Sequence, residues 1–257
     1  MAVGVRVLEH NAMVYRRTWH GSVLSSLLSP ILFLAAMGIG LGGYVNRNGG
    51  AGALGGVPYI AFLAPGLLAA QAMQTAAFDT TYPIMGRIVW DKLYDAMLAT
   101  PLTVRDLLVG ELEWVVTRLT LVCGAFLVVM AAFGAVRSPL AILALPVAVL
   151  TGVAFAAPIM AFSATQKRDS NFNVLFRFGI TPLFLLSGTF FPLDRLPAAI
   201  QPVAYLTPLY HGVALARELT LGSVDPAAAV AHVVVLLVFA AGGIALAGVA
   251  LRRRLVV

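Results

Sequence analysis

The residue types that usually carry chemistry are scarce in this chain, and their spacing argues against a nucleotide-hydrolysing site. ATP hydrolysis by a P-loop requires G-x-x-x-x-G-K-[ST], in which a lysine follows a glycine. The chain has only two lysines, Lys92 after Asp91 and Lys167 after Gln166. We therefore expect no ATPase site and no catalytic residue in this chain.

Metal chemistry is not expected either. The sequence contains no H-E-x-x-H, and the four histidines, His10, His20, His211 and His232, are far apart along the chain. The single cysteine, Cys123, lies in an apolar run without a second cysteine. It can form neither an internal disulfide nor a thiolate metal cluster, so we expect a buried packing residue.

Arg118 is the only charge well inside an apolar run. Carriers driven by an ion gradient usually place ionisable residues at mid-membrane, so this scarcity disfavours such a carrier. An unpaired guanidinium near the membrane is costly, and we expect Arg118 to pair with an acid. Asp79, Glu111 and Glu113 are predicted at the same cytoplasmic end of the neighbouring spans.

The elements that position these residues are apolar runs long enough to cross a membrane. Hydrophobic residues make up 60% of the 257 residues and charged residues only 11%, whereas soluble domains carry about 25% charged residues. The sequence therefore predicts an all-α polytopic membrane protein with one transmembrane domain over residues 1–257. We expect six transmembrane helices, at residues 22–41, 59–81, 107–133, 140–164, 174–190 and 227–251.

The basic residues predict the orientation of these spans. With six spans, eleven lysines and arginines fall on the side of the termini and four on the other side. Basic residues concentrate in cytoplasmic loops, so both termini are predicted in the cytoplasm, with the protein in a bacterial inner membrane. The net charge of +6 thus reflects topology, and we expect contact with membrane lipid and not with nucleic acid.

Three segments outside the spans have a structure of their own. Residues 1–21 predict an interfacial amphipathic helix, with a disordered basic tail as the alternative. Residues 82–105 predict a cytoplasmic helix that stops at Thr100-Pro101 and a second helix capped by Thr103 and Asp106. Residues 191–221 are apolar and rich in proline, which favours re-entrant extracellular half-helices over an ordinary loop.

The order of several short motifs resembles a known family. The motifs are YIAFLAPG at 59–66, YDAMLATPL at 94–102, LSGTFFP at 186–192 and LTPLYH at 206–211. The chain resembles permeases of the ABC-2 family (the type V ABC exporter fold), in the branch of the nodulation lipo-oligosaccharide and daunorubicin-type drug exporters.

The resemblance implies the six-helix fold, with the interfacial helix, a coupling helix between spans two and three, and the re-entrant half-helices. It also implies a second permease, identical or a sister subunit, and two copies of a cytoplasmic ABC ATPase subunit that binds ATP and Mg. The expected function is export of an amphipathic or lipid-like compound, such as a drug, lipid or lipid-linked glycan. The alternative is an ion-gradient-driven secondary multidrug or lipid carrier.

Three groups of residues are expected to carry this function. The helix between spans two and three is predicted to dock its apolar stripe into a groove on the ATPase. Its residues are Met85, Arg87, Ile88, Asp91, Lys92, Tyr94, Asp95, Met97, Thr100 and Pro101.

The other two groups concern the substrate. Helical stripes on spans two and five are predicted to form the pathway across a dimer interface, with packing inside one subunit as the alternative. They comprise Gln71, Gln74 and Phe78, and Phe176, Ile180, Phe184 and Ser187. An extracellular gate is predicted from Phe190, Phe191, Tyr210 and His211.

Overall fold

The structure is a computed structural model that describes residues 11–13, 28, 31–47 and 56–256. In these residues all regular secondary structure is helical, which confirms the all-α class. Four helices are long and apolar enough to cross a membrane: Tyr59–Trp90, Val104–Ala132, Pro139–Thr165 and Pro226–Leu255. They coincide with the second, third, fourth and sixth expected spans.

We number the helices in chain order. Helix α1 joins the π-helical Leu34–Leu41 to Gly42–Arg47, α2 is Tyr59–Thr80, α3 joins Tyr82–Met85 to the π-helical Gly86–Trp90, α4 is Leu93–Leu98, and α5 is Val104–Ala132. Helix α6 is Ala144–Thr165 after the 3-10 turn Pro139–Leu143, and α7 joins Ser170–Val174, the π-helical Leu175–Ile180 and Thr181–Leu186. A 3-10 turn at Leu193–Arg195 precedes α8 (Gln201–Tyr205), α9 (Pro208–Leu221) and α10 (Pro226–Leu255).

The first and fifth expected spans correspond to shorter helices. The apolar helix around α1 covers Ile31–Val45, and the start of the first expected span lies outside the described residues. Helix α7 ends at Leu186, before the expected end at residue 190. Most of the expected interfacial helix also lies outside the described residues, although residues 11–13 are helical. Six spans therefore remain a prediction.

The segment between α2 and α5 differs from the single helix expected there. Pro83 removes a backbone donor just after α2, and Thr81 adopts φ −97° and ψ −93°, outside the helical region. The hydroxyls of Thr80 and Thr81 donate to Ala76 O at 2.7 Å and Ala77 O at 2.8 Å. Lys92 then takes a left-handed conformation with φ +48°. The predicted helix is thus two short helices, α3 and α4, joined at Asp91-Lys92.

The start of α5 agrees with the sequence. The side chain of Thr103 accepts a hydrogen bond from the Asp106 backbone N–H, and the Asp106 carboxylate accepts one from the Thr103 N–H at 2.9 Å. This is the predicted capping box, which satisfies two backbone donors of the first turn.

Helix α6 lies at the centre of the packing. It packs most extensively against α10 and α2, and also against α5 and α9. A Cβ on Gly243 would lie 2.4 Å from Pro158 Cδ, so the backbones of α10 and α6 can approach this closely only because residue 243 is glycine. Small residues at helix contacts are typical of membrane proteins, where close packing drives association.

The predicted re-entrant segment contains two short helices. Helix α9 packs against α2, α6 and α10. Its last turn lies beside the start of the α6 region, where the Arg137 N–H donates to Thr220 O at 3.0 Å. Nearer its first turn, Gly212 contacts Thr151, well inside α6. Helix α9 therefore runs from the interior of the helix bundle back to its surface.

Candidate functional site

Ionisable residues of α2, α3 and α5 meet at one end of the bundle. The Arg87 guanidinium forms an ion pair with Glu111 Oε2, and Asn11 Nδ2 donates to the same oxygen at 3.4 Å. Arg118 Nε lies 3.2 Å from Asp79 Oδ2, so Arg118 has the acidic partner that the sequence predicts. Asp79 also interacts electrostatically with Arg87 and Glu111, which joins both pairs into one cluster.

Two of the predicted residues at this end differ in their surroundings. Glu113 is exposed, whereas Glu111 is buried. Tyr94 is buried beside Arg87 and Glu111, and burial raises the pKa of its phenol well above the ordinary value. Tyr94 therefore stays neutral and fixes α4 against this charge cluster.

A cluster of apolar residues includes the stripe of the predicted coupling helix, which we expected to contact the ATPase. It consists of Ile84, Tyr94, Leu107, Leu108, Met160, Ala164, Ala247 and Leu251, with Ile88 and Met97 packed against it. Met85 is also buried. The ends of α5, α6 and α10 therefore cover this stripe within its own subunit, whereas we had expected it to dock into a groove on the ATPase.

We call residues 82–105 the coupling segment. Its exposed part is polar, with one large aromatic residue. Asp91, Lys92 and Asp95, and after them Thr100 and Pro101, are exposed. Trp90 is 58% exposed at the end of α3. Sequence analysis missed Trp90, although a tryptophan beside Asp91-Lys92 in a short loop is itself a signal of a contact or a membrane interface.

Aromatic side chains line the length of α7. Phe78 of α2 stacks on Phe176, with ring centroids 4.7 Å apart. Toward one end of α7, Phe184 contacts Phe190 at 5.0 Å, and toward the other Tyr82 contacts Phe172 at 5.0 Å. The stripes of spans two and five therefore meet within one subunit, where we had expected them to meet across a dimer interface.

The remaining predicted pathway residues divide between surface and interior. Phe78 is 56% exposed, and Gln71 and Gln74 are half-buried on the same stripe. The Gln71 amide donates to Thr75 Oγ1 at 3.2 Å. Ile180 and Ser187 are buried, so they contribute to packing and not to an open surface.

Arg217 organises the predicted outer gate, although sequence analysis treated it only as an outer charge. Its guanidinium donates to Phe62 O at 3.1 Å and Gly188 O at 2.8 Å, and lies 3.7 Å above the Phe62 ring. The Tyr59 hydroxyl donates to Phe190 O at 3.3 Å. These contacts hold the Phe190-Phe191 turn and α9 against the start of α2. The Arg217 guanidinium also donates to Thr189 O at 3.5 Å. No sequence pattern indicates three carbonyl groups and a ring around one arginine.

A histidine pair joins the gate to α10. His211 Nδ1 lies 2.7 Å from His232 Nδ1, and His211 Nε2 lies 2.9 Å from Tyr205 O. Because a carbonyl only accepts, Nε2 of His211 carries a proton, and in neutral His211 Nδ1 accepts from His232. Tyr210 contacts both rings. The histidines are 21 residues apart, and their spacing alone did not predict this contact.

Comparison with known proteins identifies relatives that cover most of the chain. Residues 6–221 match the family model described as "ABC-2 type transporter". Nodulation protein J of Rhizobium leguminosarum bv. viciae is 36% identical over 250 residues, covering 97% of this chain and 93% of the relative. The protein of the same name from Sinorhizobium fredii is 34% identical over 252 residues, covering 98% and 93%. That of Rhizobium meliloti is 35% identical over 219 residues, covering 85% and 81%.

Proposed function

Because this chain belongs to the ABC-2 type transporter family, we propose that it is the permease subunit of an exporter for an amphipathic or lipid-like compound. It is a multi-pass inner-membrane subunit of a transporter, not the catalytic ATPase, and it works with an ABC ATPase subunit. We place both termini in the cytoplasm, and two ATPase copies there bind ATP and Mg.

The stripe of Gln71, Gln74 and Phe78 is the observation that supports an amphipathic or lipid-like substrate. Phe78 is 56% exposed and backed by Phe176, while two half-buried amides lie on the same face of a membrane helix. Amides that face only lipid are unfavourable, and an apolar surface with a few polar groups suits a ligand with both characters. We propose that the cargo passes along this stripe toward the gate at Phe190, Phe191, Tyr210 and His211.

The test is ATPase stimulation by the permease purified with its ATPase and reconstituted in lipid nanodiscs. A panel of lipids, lipid-linked glycans and amphipathic drugs is compared for wild type and for Gln74→Ala, Phe78→Ala and Phe184→Ala. We expect changed concentration dependence for stimulating compounds, by about tenfold where a contact worth about 1.4 kcal/mol is lost. Val128→Ala is the control, because Val128 is 70% exposed on α5. An unchanged profile in all three variants overturns the route.

We propose that the ATPase contacts the exposed residues Trp90, Asp91 and Asp95 of the coupling segment. The apolar stripe is already covered within the subunit, so these exposed residues form the contact surface. Charge reversal in Asp91→Arg/Asp95→Arg should reduce ATPase association and transport while the permease stays folded. Asp169→Arg is the control, because Asp169 is an exposed acid just before the start of α7. Normal association and transport in the double variant would remove this assignment.

A further inference from the structure

Helices α6 and α10 enclose a groove at the end of the bundle that carries the C-terminus. They touch where Gly243 meets Pro158, and a groove of about 500 Å³ opens between them toward their C-terminal ends. Ala161, Phe162, Leu246, Val249 and Ala250 line its apolar walls. Because both helices are long and apolar enough to cross a membrane, this groove suits a hydrocarbon chain.

Basic residues close the open end of this groove. Arg253 and Arg254 line it, and among the described residues neither forms an ion pair with a carboxylate. Lys167 and Arg168, which come shortly after α6, are exposed but do not line the groove, and Asp169 is the neighbouring acid. Arginine binds phosphate with a planar pair of donors, so the groove mouth favours an anion.

The length of the groove corresponds to one membrane leaflet. From Gly243 to Arg253 the helix rises about 15 Å at 1.5 Å per residue. This is about half of the roughly 30 Å hydrocarbon core of a bilayer. The close contact at Gly243 therefore lies near the middle of the membrane when the arginines lie at the interface.

We propose that this groove binds an anionic phospholipid, with an acyl chain between α6 and α10 and its phosphate at Arg253 and Arg254. Charge and shape together select this ligand. A zwitterionic lipid fills the apolar walls but gains less from the arginines, and a protein segment offers no phosphate. Basic pockets between membrane helices are a known way to hold anionic headgroups. This lipid is separate from the exported cargo, because the groove lies between α6 and α10 and not beside the Gln74-Phe78 stripe.

The test counts bound lipid on the full chain by native mass spectrometry in detergent. Phosphatidylglycerol and phosphatidylcholine with identical acyl chains are titrated separately. We expect wild type to retain phosphatidylglycerol preferentially. Arg253→Gln/Arg254→Gln should weaken this binding roughly thirtyfold, which corresponds to about 1 kcal/mol for each arginine.

Two further variants separate the groove from simple charge attraction. Leu246 is 61% exposed at the groove wall, so Leu246→Trp fills the groove without overpacking the core and should also displace phosphatidylglycerol. Arg168→Gln removes a charge at the same end but outside the groove, and should bind like wild type. Correct folding of each variant is checked by gel filtration and circular dichroism.

Several outcomes would overturn the proposal. Equal retention of phosphatidylcholine would remove the selectivity for an anion. Wild-type binding by Leu246→Trp would show that lipid is held by surface charge and not by the groove. A change of oligomeric state in a folded Leu246→Trp or Arg253→Gln/Arg254→Gln variant, with lipid binding unchanged, would assign the groove to another copy of the chain.

Discussion

At the scale of single residues, Glu111 holds together the end of the bundle where α3 and α5 meet. It is 3% exposed, pairs with Arg87 of α3 and accepts from Asn11. Because Arg87 and Glu111 lie on either side of α4, 24 residues apart, this ion pair ties the segment between α2 and α5 to a long apolar helix. Breaking a buried pair from one side leaves the other charge without compensation.

We predict that Glu111→Leu lowers the stability of the permease by about 3 kcal/mol, because Arg87 is left with an uncompensated charge. Thermal unfolding in detergent is the measurement. Arg87→Met/Glu111→Leu should recover most of the loss, since both charges are then absent. Glu113→Leu is the matched control, because Glu113 is exposed two residues away. Equal melting temperatures for Glu111→Leu and Glu113→Leu would contradict the role of the pair.

At the scale of elements, the contact of α6 with α10 depends on Gly243 and not on the neighbouring Gly242. A Cβ on Gly243 would meet Pro158 at 2.4 Å, whereas nothing lies within 4 Å of a Cβ on Gly242. Pro158 is rigid and the contact includes its backbone nitrogen, so the neighbour cannot simply turn away. The pair of glycines thus provides its own comparison.

We predict that Gly243→Ala destabilises the permease by about 1 to 3 kcal/mol, the usual cost of overpacking a well-packed contact. Gly242→Ala should be neutral or add up to about 1 kcal/mol, because alanine favours the helix over glycine. The measurement is the melting temperature of each variant, compared with wild type under identical detergent conditions. If Gly243→Ala is as stable as Gly242→Ala, the helices are not held as closely as described.

The helices differ in how well their sequence predicts them. Apolar runs and the Thr103-Asp106 cap locate α5 within a few residues, because length and capping are local properties. The break at Lys92 is not local in origin, since lysine has no preference for a left-handed conformation. Periodicity identified the apolar stripe of the coupling segment correctly. It could not identify Met160 and Leu251 as the residues that cover it, because these belong to spans far along the chain.

In the candidate site, too, local features could be predicted from the sequence, whereas contacts between distant segments could not. The spacing of Phe78 and Phe176 along their helices placed each on a stripe, but the choice between one subunit and two depended on how α7 packs. The pairing of Arg118 with an acid followed from the cost of a lone charge. Within the described part of the chain, Arg217 donates to three backbone carbonyl groups and to no acid, and such an arrangement cannot be foreseen from residue types.

At the scale of the whole molecule, α7 has an apolar face that the described residues of its own chain leave exposed. Val174, Phe178 and Leu185 are 58%, 73% and 49% exposed and recur at helical spacing on one face of α7. The family resemblance implies a second permease, identical or a sister subunit, and we propose that an identical copy packs against this face.

We predict that Phe178→Cys is cross-linked into a dimer by a short bifunctional thiol reagent in native membranes, because the two-fold partner brings the same residue close. Cys123 is fully buried, so the unmodified chain supplies the background. Val230→Cys, on α10 and 64% exposed, is the control and should stay monomeric. Dimers from Val230→Cys but not from Phe178→Cys would assign the contact between copies to α10.

In mechanical terms, we expect the junction at Thr81, between α2 and α3, to act as a pivot. Helices α3 and α4 are packed into the ends of α5, α6 and α10, so a force applied at Trp90 should turn these ends together. Above the pivot, two threonine hydroxyls already occupy the carbonyls of Ala76 and Ala77. We therefore expect a rotation at this junction to change the stacking of Phe78 on Phe176.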